Sequence, residues 1–345
     1  MSMKKLPGYL PLGLLSVVFA TACTVTVDET DHQAKEALAA STPDVDFTLT
    51  ADQTHNKFSS AIPPVISVPT GSVIEVFTEE ATDQQLTVDS TVDDLATLSF
   101  DLIHPLTGPV YVEGAEPGDV LAVTLHEIEV GDWGWVALAP GFGFLADEYP
   151  DPYLRTYSFD ENQETIDFNG KIKIPINPFA GVMGVAPDTE EMLSTIPPRA
   201  NGGNMDDPHL VAGVTVYFPV FVEGALFSIG DTHALQGLGE VSGTALEAPM
   251  RIVYEVNVLK GQKQIEEPQY ETDAYYAVTG FGTTIDLATK KSVQYMIKYL
   301  MDEHGLDRVE AYTLCSLAAD LKIAEVVDVP HFLVTMHISK DVLGI

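Results

Sequence analysis

The chain reads as a mainly β protein, a β-sandwich or barrel body followed by a smaller α+β unit. Three observations predict this. Apolar and polar residues alternate in short runs from about residue 47 to 260, each run bounded by Gly or Pro. The 26 glycines and 22 prolines suit a loop-rich β protein, while 46% apolar residues and a mean hydropathy of +0.11 are those of a globular chain. Beyond Thr284 the apolar period switches from two to near 3.6. At 345 residues the chain can bury roughly three quarters of the surface its unfolded form exposes.

The first segment is a signal for export. Lys4 and Lys5 precede an apolar run from Leu10 to Ala20, too short to span a bilayer permanently, and Ala20-Thr21-Ala22-Cys23 follows. Small residues directly before a cysteine have the layout of a lipoprotein signal, so residues 1–22 are expected to be removed and Cys23 to be lipidated. Residues 23–46 are acidic and small and read as a solvated tether. The expected location is exported, held by a lipid anchor and facing the periplasm or cell exterior. With Cys23 so used, Cys315 has no partner for a disulfide.

Residues 47–260 form the β-rich body. Gly71–Thr78 alternates after Pro69-Thr70-Gly71, and Asp119–Leu125 follows Pro117-Gly118 in the same way. Lys171–Ile176 alternates too. Val214–Phe221 is apolar nearly throughout and is expected to be covered on both faces, with Pro219 pointing to an edge or a bulge. Val222–Ile229 starts with a Glu223-Gly224 turn and runs apolar into Asp231; Arg251–Val258 supplies another strand.

Residues 261–345 form the α+β part of the same unit. Leu287, Val293, Met296, Ile297 and Leu300 fall near helical spacing between Thr284 as N-cap and Gly305 past the end. A second helix is expected from Arg308 to Ile323, with Leu314, Cys315, Ala318 and Leu321 inward, and a strand over His331–Ile338 closes the unit.

Fifty-one acidic residues against 17 basic ones give a net charge of −34, which repels nucleic-acid backbones and anionic lipid. Neutral or cationic small molecules and divalent cations remain as partners. The segment GDTHALQGLGE at 230–240 concentrates chemistry: in an extended chain Asp231 and His233 project from one face, where a strand reaches a Gly-rich turn, and Glu240 lies close behind. This arrangement suits a metal ion, with Glu240 moving protons; the same short pattern also suits a hydrogen-bonded turn. His55, just before Ile62-Pro63-Pro64, is a further candidate ligand or a surface imidazole. Cys315 lies among apolar neighbours with no cation within a turn, which marks a structural thiol rather than a nucleophile. His104, at the head of HPLTGPV, is read as structural.

GDTHALQGLGEVSGTALE, PPRANGGNMDD at 197–207, HPLTGPVYVEGAEPGDVL at 104–121, VYFPVFVEGALFSIGD at 216–231 and YTLCSLAADLKIAEVVD at 312–328 resemble, in order, the acetamidase/formamidase family. The resemblance covers nearly everything from about His55. It implies hydrolysis of the C–N bond of short linear amides to ammonia and a carboxylate, on a β-rich scaffold, by a homo-oligomer. For that chemistry a divalent metal is expected, zinc first and calcium second, held by Asp231 and His233 with His55 and Glu80 as further candidate ligands, Glu80 being otherwise one solvated acid among 51, and Asp231 and Glu240 are the expected catalytic groups. The GGNMD loop then becomes a substrate loop using Gly203, Asn204 and Asp206. Where the family usually reads GDGE, this chain has Gly237-Leu238-Gly239-Glu240. That change motivates a rival expectation, a non-catalytic amide-binding lipoprotein on the same fold.

Overall fold

The computed structural model describes residues 42–261 and 264–345. The expected signal segment 1–22, the lipidation residue Cys23 and the tether up to residue 41 lie outside the described residues. The last tether residue already belongs to the fold: Asp46 donates its N–H to the Val73 carbonyl, and its carboxylate accepts from the Val73 N–H.

Two nine-stranded sheets carry the described chain. The first runs in the order Phe47–Leu49, Ser72–Thr78, Met250–Leu259, Val120–Val130, Thr215–Pro219, Gln269–Glu271, Tyr275–Gly282, Phe332–Ser339 and Ala319–Glu325. The second runs Gly202–Asn204, Phe179–Gly184, Phe227–Leu235, Leu246–Glu247, Trp133–Leu138 and Tyr153–Ser158. Leu106–Val112 also pairs with Phe227–Leu235 and carries the short strands Thr54–His55 and Ile66–Val68. The inner faces of both sheets share one apolar core. Phe227 of the second sheet meets Tyr254 of the first at a ring separation of 5.3 Å and Phe218 at 5.6 Å, so the layers interlock through aromatic rings. All three are fully buried, and the two phenylalanines each contribute ~1.5–3 kcal/mol.

Several elements differ from their sequence expectation. Lys171–Ile176 shortens to Lys173–Pro175, which pairs with Thr165–Asp167 as a separate ribbon because the Gly170 turn folds the chain back on itself. Val214–Phe221 is not covered on both faces and is not an edge. In the strand Thr215–Pro219, Val216 and Phe218 are buried while Thr215 and Tyr217 are half-buried, and the strand lies inside the first sheet. Pro219 is tolerated there because pairing to Gln269–Glu271 ends at Tyr217.

Helix α1, Ile285–His304, matches its predicted ends: Thr284 accepts from the Leu287 N–H, and Gly305 adopts φ +68°. Its buried face is Ala288, Ser292, Met296 and Leu300, while Leu287 stays exposed. Close approach decides this: a Cβ on Gly280 would stand 2.4 Å from the Ala288 carbonyl oxygen, so the strand Tyr275–Gly282 accepts the helix only at a glycine. Helix α2 is Arg308–Ala318, shorter than expected. From Ala319 the chain becomes the sheet strand Ala319–Glu325, which leaves Leu321 exposed rather than inward; pairing to Phe332–Ser339 outweighs the helical period. Cys315 is buried against α1 and the strands beneath it, as a structural thiol. The C-terminal strands extend the first sheet to its edge, and there Glu325 bridges Gly239, which brings Glu325 and Asp328 beside the turn that carries Glu240.

Candidate active site

The strand Phe227–Leu235 lies in the middle of the second sheet and contains Asp231 and His233 within its paired length, not at its end. The Gly-rich turn begins only after Leu235. His233 is opposite Phe179 on one side and Glu247 on the other. Asp231 and His233 share a face, as their spacing of two requires. His233 Nε2 lies 3.1 Å from Glu247 Oε2 and 3.6 Å from Asp231 Oδ2, and Asp231 Oδ2 lies 3.7 Å from His104 Nε2. On its other edge His233 Nδ1 meets Gln236 Oε1 at 2.9 Å, and Gln236 Nε2 donates to the Asp206 carbonyl at 2.6 Å. A carboxamide oxygen only accepts, so Nδ1 carries the hydrogen and Nε2 is the nitrogen turned to the carboxylates.

Six buried carboxylates converge here: Asp206, Asp231, Glu240, Glu247, Glu325 and Asp328. Two imidazoles, His104 and His233, do not balance them. Burial, with Asp206 beside it, pushes the Glu240 carboxyl well above the usual range, and burial with Asp206 and Glu325 does the same to Asp328. Burial pushes Glu247 up to about 7 and Glu325 up to about 8. Burial acts on Asp231 too, but His104 and His233 outweigh it and hold Asp231 low. Burial opposes charge on His233, yet Glu247 and Asp231 raise it well above the usual imidazole range.

Both oxygens of Asp206 and Asp231 Oδ1 are buried without hydrogen-bond partners, while Glu247 Oε2 and His233 Nε2 have only their close contact with each other and with Asp231. Orphaned acceptors of this kind call for a cation or protons. The triads Asp231–His233–Glu247 and Asp206–His233–Glu240 each bring one donor atom per residue within 4.8 Å of the others. Oxygen and imidazole donors in such a cluster fit a divalent ion, and the first triad fits better because it uses Nε2, the nitrogen that Gln236 does not engage. Two further features favour a site held for chemistry. Asp206, Asp231 and Glu240 have φ of +39°, +49° and +45°, costly for residues with a side chain. Gly181, level with Asp231, has no room for a Cβ, which would stand 2.4 Å from Asp206 Oδ1 and 2.7 Å from His233 Cε1.

Asp231, His233, Glu240, Asn204 and Asp206 are therefore brought together. Three predicted residues are not. Glu80 accepts from the Thr82 and Gln84 N–H groups, the Thr82 hydroxyl and Trp135 Nε1, so its oxygens are committed to holding a turn and an indole. His55 donates from Nδ1 to the Lys57 carbonyl and accepts at Nε2 from Ser228, and burial lowers it to about 4. Neither has a free donor atom for a metal. Gly203 belongs to a short strand, not a loop; its backbone is opposite Met183, and it does not line the cavity. Sequence reasoning missed Glu247, Glu325 and Asp328 and took His104 for structural. Glu247, Glu325 and Asp328 all sat within the motifs that carried the resemblance, but nothing in their spacing tells that residues about 100 apart share one site.

Five of these carboxylates, all but Glu325, open on a cavity of about 70 Å³, several times the space one water needs. Its lining includes Asn204, whose Oδ1 is unpartnered, and His104. Leu238 is 46% exposed and does not line it, so the residue that departs from the family pattern has its side chain outside the site.

A buried carboxylate–imidazole centre beneath a small cavity, on two packed β-sheets, holds the groups that metal-assisted or acid–base hydrolysis requires. Comparison with known proteins gives its kind. The sequence profile of the acetamidase/formamidase family matches residues 43–194 and 189–344. An acetamidase of Mycolicibacterium smegmatis is 29% identical over 60% of this chain and 66% of its own length, and a formamidase of Methylophilus methylotrophus is 25% identical over 84% and 89%. Among solved structures, a predicted acetamidase/formamidase from Thermoanaerobacter tengcongensis superposes with a TM-score of 0.81 at 34% identity, over 86% of this chain and 97% of that one. An acetamidase of Bacillus halodurans superposes equally well at 28% identity, over 86% and 98%. The chain belongs to the acetamidase/formamidase family, and it is an amidohydrolase.

Proposed function

We propose that the protein hydrolyses the C–N bond of small linear amides, giving ammonia and a carboxylate, with the help of a divalent cation. The observation that carries this is the orphaned carboxylate–imidazole cluster at the cavity. Asp231, His233 Nε2 and Glu247 would hold the ion, which when bound supplies electrophilic polarisation and acidifies water. Zinc suits the imidazole and calcium the carboxylates.

The chain's own groups divide the remaining work. Asn204 Oδ1 accepts from the amide –NH2 and orients it. Asp206, unpartnered on both oxygens, takes a proton from the attacking water. Glu240, kept protonated by burial and by Asp206, gives a proton to the departing nitrogen. Gln236 fixes the His233 ring by its hydrogen bond to Nδ1. Asp231→Asn and His233→Ala should each lower ammonia release by at least 100-fold with the fold kept by circular dichroism, in line with the ~10²–10⁴-fold contribution of such groups; wild-type turnover in both would remove the assignment.

A non-catalytic binding role rested on Leu238, and the exposed position of that side chain argues against it. Export with a lipid anchor at Cys23 remains part of the proposal, supported by the N-terminal pattern alone. Cys23→Ser should release the protein from the membrane fraction; unchanged fractionation would end that part.

A further inference from the structure

We propose that this site prefers amides with a longer or branched apolar acyl group over formamide and acetamide; the inference rests on the amide hydrolysis proposed above. The acids occupy one part of the cavity lining. Much of the rest is hydrocarbon: Leu95, Leu98, Phe100, Trp135, Phe142 and Ile196. Formamide offers this wall a hydrogen and acetamide a single methyl, so neither covers it. A wall that stays wet while substrate is bound wastes contact that a larger acyl group would make.

The wall is built rather than incidental. Trp135 is 4% exposed, and its Nε1 donates to Glu80 Oε2 at 2.7 Å, which fixes the indole plane. Leu95 and Leu98 pack with Trp135, Ala81 and Ala137 in one cluster. Gln85 brackets Ser99, accepting from its N–H at 2.6 Å and donating to its carbonyl at 3.1 Å, so the segment that presents Leu98 and Phe100 is tied down. Phe100 stacks on Phe142 with ring centroids 5.2 Å apart, and Phe100 is 45% exposed, which places the aromatic pair at the rim. The acyl group, not the nitrogen, faces this wall, because the leaving nitrogen must sit by Asn204 and Glu240.

The test is ammonia release by the full-length protein from acetamide, butyramide and isovaleramide, each read as kcat/KM, for wild type and Phe142→Ala. Burial of one methylene corresponds to about fourfold, so isovaleramide, with three more carbons than acetamide, should exceed it by about 50-fold. Phe142→Ala should reduce that ratio at least fivefold. Equal or lower kcat/KM for isovaleramide overturns the specificity inference and leaves amide hydrolysis standing. An unchanged ratio in Phe142→Ala overturns the assignment of the wall. No ammonia from any of the three amides overturns both this inference and the function it rests on.

Discussion

Gly181→Ala tests the geometry of the site without removing any functional group. The added Cβ would stand 2.4 Å from Asp206 Oδ1, 2.7 Å from His233 Cε1 and 2.9 Å from the Asp231 carbonyl. Ordinary contact begins near 3.4 Å, so the Asp206 carboxylate must retreat by about 1 Å. The His233 ring is held by Gln236 and backed edge-on by Phe179, 5.0 Å away, and it cannot absorb the strain freely. Overpacking of this kind costs about 1–3 kcal/mol, less a few tenths regained from the stiffer unfolded chain. A 1 Å displacement of reacting groups costs about 100-fold in rate. The expected outcome is a melting temperature lower by several degrees, with kcat/KM for a short amide down about 100-fold. Thermal denaturation and an ammonia assay on the same preparation measure both. Wild-type values in both would refute the packing described around Asp206 and His233.

Two other outcomes follow from the same contacts. In chelated protein, stability should fall as pH rises. The folded-state values of Glu247, about 7, and Glu325, about 8, exceed the ordinary glutamate value of 4.5, so the folded state binds more protons than the unfolded state across that window. For Glu247 the loss between about pH 4.5 and 7 is on the order of 3 kcal/mol; added divalent cation should reduce this slope, and a flat melting temperature from pH 5 to 8 would contradict the buried-acid account. Glu80→Gln should lower stability by about 1–3 kcal/mol through lost charge-assisted bonds to Thr82, Gln84 and Trp135, with metal content unchanged. Loss of the metal in that variant would return Glu80 to the coordination sphere.

The body was legible where period and turn signals agreed. Gly71 and Gly118 start strands as their positive φ allows, and Thr284 and Gly305 bound α1. Legibility failed where tertiary pairing overrode local pattern. Ala319–Glu325 continues the spacing of α2 in sequence, yet its pairing with Phe332–Ser339 makes it a strand. In the site, Asp231 and His233 were visible from a spacing of two, and Asn204, Asp206 and Glu240 from the resemblance. Glu247, Glu325 and Asp328 were not, because Glu247 reaches His233 only through strand pairing in the second sheet, and Glu325 and Asp328 reach Asp206 and Glu240 only through the bridge between Gly239 and Glu325. His55 and Glu80 stand apart from the cluster, with their polar atoms engaged elsewhere. Polar side chains near motif ends look available until their hydrogen-bond partners are counted.

The central claim is that the orphaned carboxylates and His233 form a cation-assisted centre for amide hydrolysis. Its most direct test is ammonia release from short amides by the purified protein, before and after chelation and after add-back of zinc or calcium. The account predicts activity that vanishes on chelation and returns with one of these ions. Turnover unaffected by chelation in protein shown to be metal-free, or no turnover in folded, metal-loaded protein, would contradict it.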